Sequence, residues 1–122
     1  MDTSALFIPC YCYVTSKPDR LMHTYVAIYT GLPDPSEDRG AITAAWKQWF
    51  QSLGAAVVDP GYIFTKANTV KMDAAIQDGS GLKLTGCSIL LAESMEAAVE
   101  MIKQCPGLRN ADIAVYETVK FG

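Results

Sequence analysis

Residues 83–107 read KLTGCSILLAESMEAAVEMIKQCPG, and two periodicities meet inside them. The apolar run around Ser88, Ile89, Leu90 and Leu91 is short and follows the turn residues Gly79, Ser80 and Gly81, as a buried strand does. The spacing then changes. Met95, Ala98, Val99 and Ile102 recur at intervals of three and four residues, which aligns them on one side of a helix. Ser94 stands where a helix needs an acceptor for its first amides, and Pro106-Gly107 stops the helix. Glu96 and Lys103 lie at the ends that suit the helix dipole. A central strand over 83–92 running into a helix over 95–104 is therefore the unit around which the rest is arranged.

Downstream, residues 113–119 alternate Ile113, Val115 and Glu117 with Ala114, Tyr116 and Thr118, which predicts a closing strand. Upstream, residues 23–30 are rich in β-branched and aromatic side chains and end at Gly31 and Pro33-Asp34-Pro35, so they too predict a strand. Ile42, Ala45, Trp46, Trp49, Phe50 and Leu53 form one helical stripe over 42–53, which Gly54 terminates. A second strand over 55–64 is interrupted at Asp59-Pro60-Gly61, where proline removes a ladder donor and glycine permits a bulge. A polar loop through Asp78-Gly79-Ser80-Gly81 returns the chain to the central strand.

The order βαββαβ predicts an α+β domain of ferredoxin-like type, a four-stranded antiparallel sheet with two helices on one face. On the first strand Tyr25, Ala27 and Tyr29 point one way, while Thr24, Val26 and Ile28 point the other. Both faces are apolar. Tyr25 and Tyr29 are assigned to the face away from the helices, where a second copy of the chain would cover them, so a homodimer is expected.

A chain of 122 residues, half of them apolar, supports one core. That core is placed at 22–122. Residues 1–21, which carry Pro9 and Pro18 and no sustained period, are read as an N-terminal extension. With a net charge of -3 and ten scattered Lys and Arg, no basic patch exists to hold a phosphate backbone, so nucleic acid is not an expected partner. No apolar run approaches the roughly 20 residues that cross a bilayer, and the stretch 5–14 lacks a basic leader, so neither a membrane association nor a signal peptide is expected. Cys10, Cys12, Cys87 and Cys105 include no C-x-x-C pair and are read as reduced thiols of a cytoplasmic protein. No metal or cofactor is expected. The sequence contains no nucleophile elbow, phosphate-binding glycine loop or His-x-x-x-His pair.

Tyr25–Gly31, Trp46-x-x-Trp49-Phe50, Leu53-Gly54, Val58-Asp59-Pro60-Gly61, the block from Gly86 to Ser94, Ala97-Ala98-Val99, Cys105-Pro106-Gly107 and Val115-Tyr116-Glu117 together resemble the YCII-related, or DGPF-domain, family of dimeric α+β barrels. The resemblance spans about 22–119 and implies that fold and a homodimer. Two positions depart from it. The name motif survives only as Asp78-Gly79 followed by Ser80-Gly81, and Cys87 replaces an aromatic residue. Relatives with a suggested active site pair an Asp with a His early in the first helix, and this helix has no His.

Any imidazole chemistry must use the lone His23, and Asp59, breaking an apolar strand, is the best acid–base partner on paper. The plainer reading of Asp59 is a carboxylate bonded to the turn's own amides, and that of His23 a solvated strand end. Tyr25, Tyr29 and Trp46 are the candidate substrate-binding side chains, the tyrosines presenting hydroxyls to a cavity between sheet and helices or between subunits, each with core or dimer packing as its simpler role. Two functions follow: a cofactor-independent lyase- or isomerase-type enzyme using Asp59 on a small apolar molecule, or a non-catalytic dimeric small-molecule-binding or accessory protein.

Overall fold

The computed structural model describes residues 22–32 and 35–121, and the extension read at 1–21 lies outside them. The elements in chain order are β1 (His23–Tyr29), α1 (Arg39–Leu53), β2 (Val57–Ile63), β3 (Asn68–Val70), β4 (Ile76–Asp78), β5 (Gly86–Ala92), α2 (Met95–Ile102) and β6 (Ile113–Glu117). Short 3₁₀ turns at Gly54–Ala56 and Pro106–Arg109 follow the helices. β2, β5, β1 and β6 form a four-stranded sheet in that spatial order, every neighbouring pair antiparallel. This α+β arrangement is compatible with the ferredoxin-like expectation.

The strand-to-helix unit forms as its sequence dictates. Gly86, Ser88, Leu90 and Ala92 are buried, alternating with half-buried Cys87, Ile89 and Leu91. The Ser94 hydroxyl accepts the Ala97 amide at 3.1 Å, capping α2. α1 begins three residues earlier than its apolar stripe, because Asp38 accepts the Gly40 amide at 3.0 Å and so fixes the first turn ahead of Ile42. Its end is at Gly54, as read, with φ of 57°.

Tyr25, Ala27, Leu90, Ala92, Trp49, Leu53, Ala98, Met101, Ile102 and Cys105 share one buried cluster, so both helices lie on a single face of the sheet. The Trp49 indole donates to the Met101 carbonyl at 3.1 Å and thereby ties α1 to α2. Each buried aliphatic side chain of this kind stabilises the fold by about 1.5–3 kcal/mol through its removal from water.

Two expectations need correction. Tyr25 and Tyr29 do not face away from the helices: Tyr25 is 1% exposed in the shared core, and Tyr29 packs edge-on against Trp46 with ring centroids 5.1 Å apart. The uncovered face instead carries Thr24, Val26, Ile28, Cys87, Ile89, Leu91, Ala114 and Tyr116, which the pairing register places together. An alternating strand that is apolar on both sides does not say which side its helices take. The second correction is the connection from β2 to β5. It is not only a polar loop but carries a separate hairpin, β3 paired antiparallel with β4.

Candidate functional site

β2 is built to break its ladder. Val57 pairs with Leu90 and Asp59 with Ile89, and the register shifts again before Tyr62 pairs with Cys87. Each shift inserts residues that the partner strand does not match, which bends the edge strand. Gly61 has φ of 96°, and a side chain there would run into the Cys87 carbonyl, so only glycine allows β2 this close to β5.

The bend opens a cleft of about 630 Å³ between the sheet and the N-terminal half of α1. That size suits a small organic ligand. Trp46, Phe50, Ile42 and Ile113 supply much of its apolar wall, Pro60 and Gly61 come from the bend of β2, and Arg39, Thr43 and Asp112 also line it. Gly107 belongs to the wall because a Cβ there would come within 3.0 Å of the Trp46 ring.

The wall also holds a hydrogen-bond relay across three strands. The Tyr29 hydroxyl donates to Ser88 Oγ at 2.7 Å, and Ser88 donates to the Pro60 carbonyl at 2.6 Å. Ser88 is wholly buried, so a hydroxyl in this position must be bonded, and the carbonyl exposed by the bend of β2 satisfies it. Burial is the main influence on the Tyr29 phenol and holds its pKa well above the ordinary tyrosine range, overcoming the opposite pull of the Ser88 hydrogen bond. The phenol therefore stays protonated at physiological pH. Both donors of the relay are consumed inside the protein, so toward any further partner the Tyr29 oxygen can act only as an acceptor.

Of the residues singled out in the sequence, Tyr29 and Trp46 meet in this wall. Tyr25 is in the core beneath α2 and outside the lining. Asp59 is half-buried, pairs with Ile89 on the uncovered face and accepts the Gly61 amide at 2.8 Å, the local turn bond of its plainer reading. His23 pairs with Ala92 at the opposite end of β1 from Tyr29, with Nδ1 3.9 Å from the Glu117 carboxylate. The structure thus does not join Asp59 and His23 to the cleft. Ser88 was not singled out, although a hydroxyl in the middle of an apolar central strand is the signal that marks it.

Among the described residues no group of three or more His, Cys, Asp and Glu is placed to hold a metal ion. Cys87 and Cys105 are free thiols. Cys105 accepts the Gly107 amide at 3.4 Å, and burial pushes its thiol up to about 11 despite that bond. Among the described residues no helix is long and apolar enough to cross a membrane. No family model matches the chain, and no curated protein matches it.

Proposed function

We propose that this chain is a homodimeric, YCII-like protein that binds a small, largely apolar molecule in the cleft between its sheet and α1. The observation that carries the reading is the wall itself, which joins the apolar Trp46, Phe50 and Ile113 with Tyr29, whose hydroxyl is oriented by Ser88. A largely apolar pocket with an oriented acceptor in its wall favours a ligand with an apolar body and a donor, such as an alcohol or a phenol.

Binding is better supported than catalysis. The phenol is held protonated and is no base, and the carboxylate proposed to move a proton lies on the other face of the sheet, bonded to its own turn. The dimer part of the reading draws on the sheet order and on the apolar uncovered face around Val26, Ile28, Ile89 and Leu91. A cytoplasmic location goes with it and suits the free thiols of Cys87 and Cys105.

Trp46 in the wall provides the test. Titration with benzyl alcohol should give a saturable change in tryptophan emission, and toluene should bind several-fold more weakly. Tyr29→Phe should abolish that preference while leaving toluene binding unchanged, since one neutral hydrogen bond accounts for about 0.5–1.5 kcal/mol. No saturable change with either probe would remove the reading.

A further inference from the structure

The β3–β4 hairpin is the part of the molecule whose construction and exposure disagree. Its backbone is complete: Asn68, Thr69 and Val70 pair with Asp78, Gln77 and Ile76. Around that ladder the Lys71 amide bonds the Ala75 carbonyl at 2.8 Å, the Gly79 amide bonds Ala67 at 2.8 Å, and the Thr69 hydroxyl bonds Gly79 at 2.8 Å. Its base is anchored as well, with the Phe64 amide on the Thr85 carbonyl at 2.9 Å and the Thr85 amide on Tyr29 at 2.7 Å. Yet Val70, Met72, Ile76 and Leu82 are 70%, 106%, 72% and 67% exposed. A two-stranded hairpin is marginal in water by itself, and one that presents its apolar side chains outward is a contact element.

We propose that this arm closes on a second copy of the chain and completes the dimer that the uncovered sheet face begins. The inference rests on the homodimer reading. Four strands at about 4.8 Å spacing and some 20 Å in length give the sheet face a footprint of about 400 Å², roughly half of the about 800 Å² per partner that a stable interface buries. The four exposed side chains of the arm offer on the order of 400 Å² more. The chain joins the two surfaces: Tyr62, 67% exposed, is in register with Cys87 on the uncovered face, and β2 runs from it through Ile63, in register with Gly86 on the covered face, into the arm. Closure over the cleft is the competing occupant, since Tyr62, Ile63 and Phe64 at the base of the arm line it, but the lining stops at Phe64 and resumes at Thr85, leaving out both arm strands.

The test compares three full-length proteins by sedimentation equilibrium: wild type, an arm variant carrying Val70→Ser, Met72→Ser and Ile76→Ser, and the sheet-face variant Tyr116→Asp. All three changed arm side chains and Tyr116 are exposed, and circular dichroism checks that each variant folds. Wild type should dimerise, and both variants should raise the dissociation constant at least tenfold. An arm variant that dimerises like wild type while Tyr116→Asp weakens the dimer overturns the arm and leaves the dimer reading standing. Wild type that stays monomeric overturns both. An arm variant with an unchanged dissociation constant but altered toluene binding makes the arm a lid and overturns the proposal as well.

Discussion

The two faces of the main sheet are both apolar, yet they are composed differently. On the covered face large Tyr25 and Leu90 are interleaved with Ala27, Ser88, Gly86 and Ala92. Those small residues leave room for Trp46 and Trp49 to reach the sheet, and Ala27, Ser88 and Leu90 are 0% exposed as a result. On the central strands β1 and β5 the uncovered face has Val26, Ile28, Ile89 and Leu91, all of similar size and only half-buried, with Ala114 and Tyr116 of β6 beside them. A relief of large and small residues accepts aromatic knobs from helices, whereas an even layer suits another even layer. On the two central strands relief, rather than apolar content, tells the faces apart.

Adjacent residues on β5 give the largest test of that difference. Leu90→Ala should cost about 3 kcal/mol, because Leu90 is wholly buried beneath the helices and its removal leaves a cavity. Ile89→Ala, on the even face, should cost about 1 kcal/mol in protein dilute enough to be monomeric. Equilibrium urea unfolding measures both. Equal costs would break the comparison. A cost for Ile89→Ala that grows with protein concentration would sharpen it, by showing that a second copy covers this face.

The same contrast explains what the sequence could convey. β5 and α2 were legible because strand and helix periodicity, a serine cap and a Pro-Gly stop agree within residues 83–107. The face assignment of Tyr25 and Tyr29 failed because alternation gives two faces without naming them, and the clue of interleaved small residues emerges only when β1 and β5 are aligned in register. The hairpin was missed because its strands are three residues each, too short for any periodicity, and the Asp-Gly and Ser-Gly pairs beside it read as loop. For the site, the interruption at Asp59-Pro60-Gly61 pointed to the right bend. The cleft then used the backbone of Pro60 and the space beside Gly61 rather than the Asp59 carboxylate, and backbone roles leave little trace in side-chain chemistry.

The covered face also carries a pH signature. The Cys105 thiol is pushed up to about 11 by burial against its ordinary 9.0. The unfolded chain therefore gives up this proton first, and stability that is fully present below pH 9 falls as pH rises, until the folded thiol ionises as well near 11. Above pH 10 the raised Tyr29 phenol adds to the decline in the same direction. Urea unfolding between pH 8 and 11 should show this loss, and Cys105→Ala should flatten the part below pH 10. An unchanged slope in the variant would place the titration elsewhere.

The smallest effect tests the relay that makes the covered face a site as well as a core. Ser88→Ala removes the acceptor of the Tyr29 hydroxyl and the donor to the Pro60 carbonyl together, at a cost of about 1–2 kcal/mol. Cys87→Ala, one residue away on the even face, breaks neither bond and should cost less. A purely structural relay would end there. A relay that orients a ligand acceptor predicts more: without Ser88 the phenol is no longer held in one orientation, so the preference of the cleft for benzyl alcohol over toluene should fall in Ser88→Ala even where the protein remains fully folded. Retention of the ligand preference in Ser88→Ala would reduce the relay to core packing.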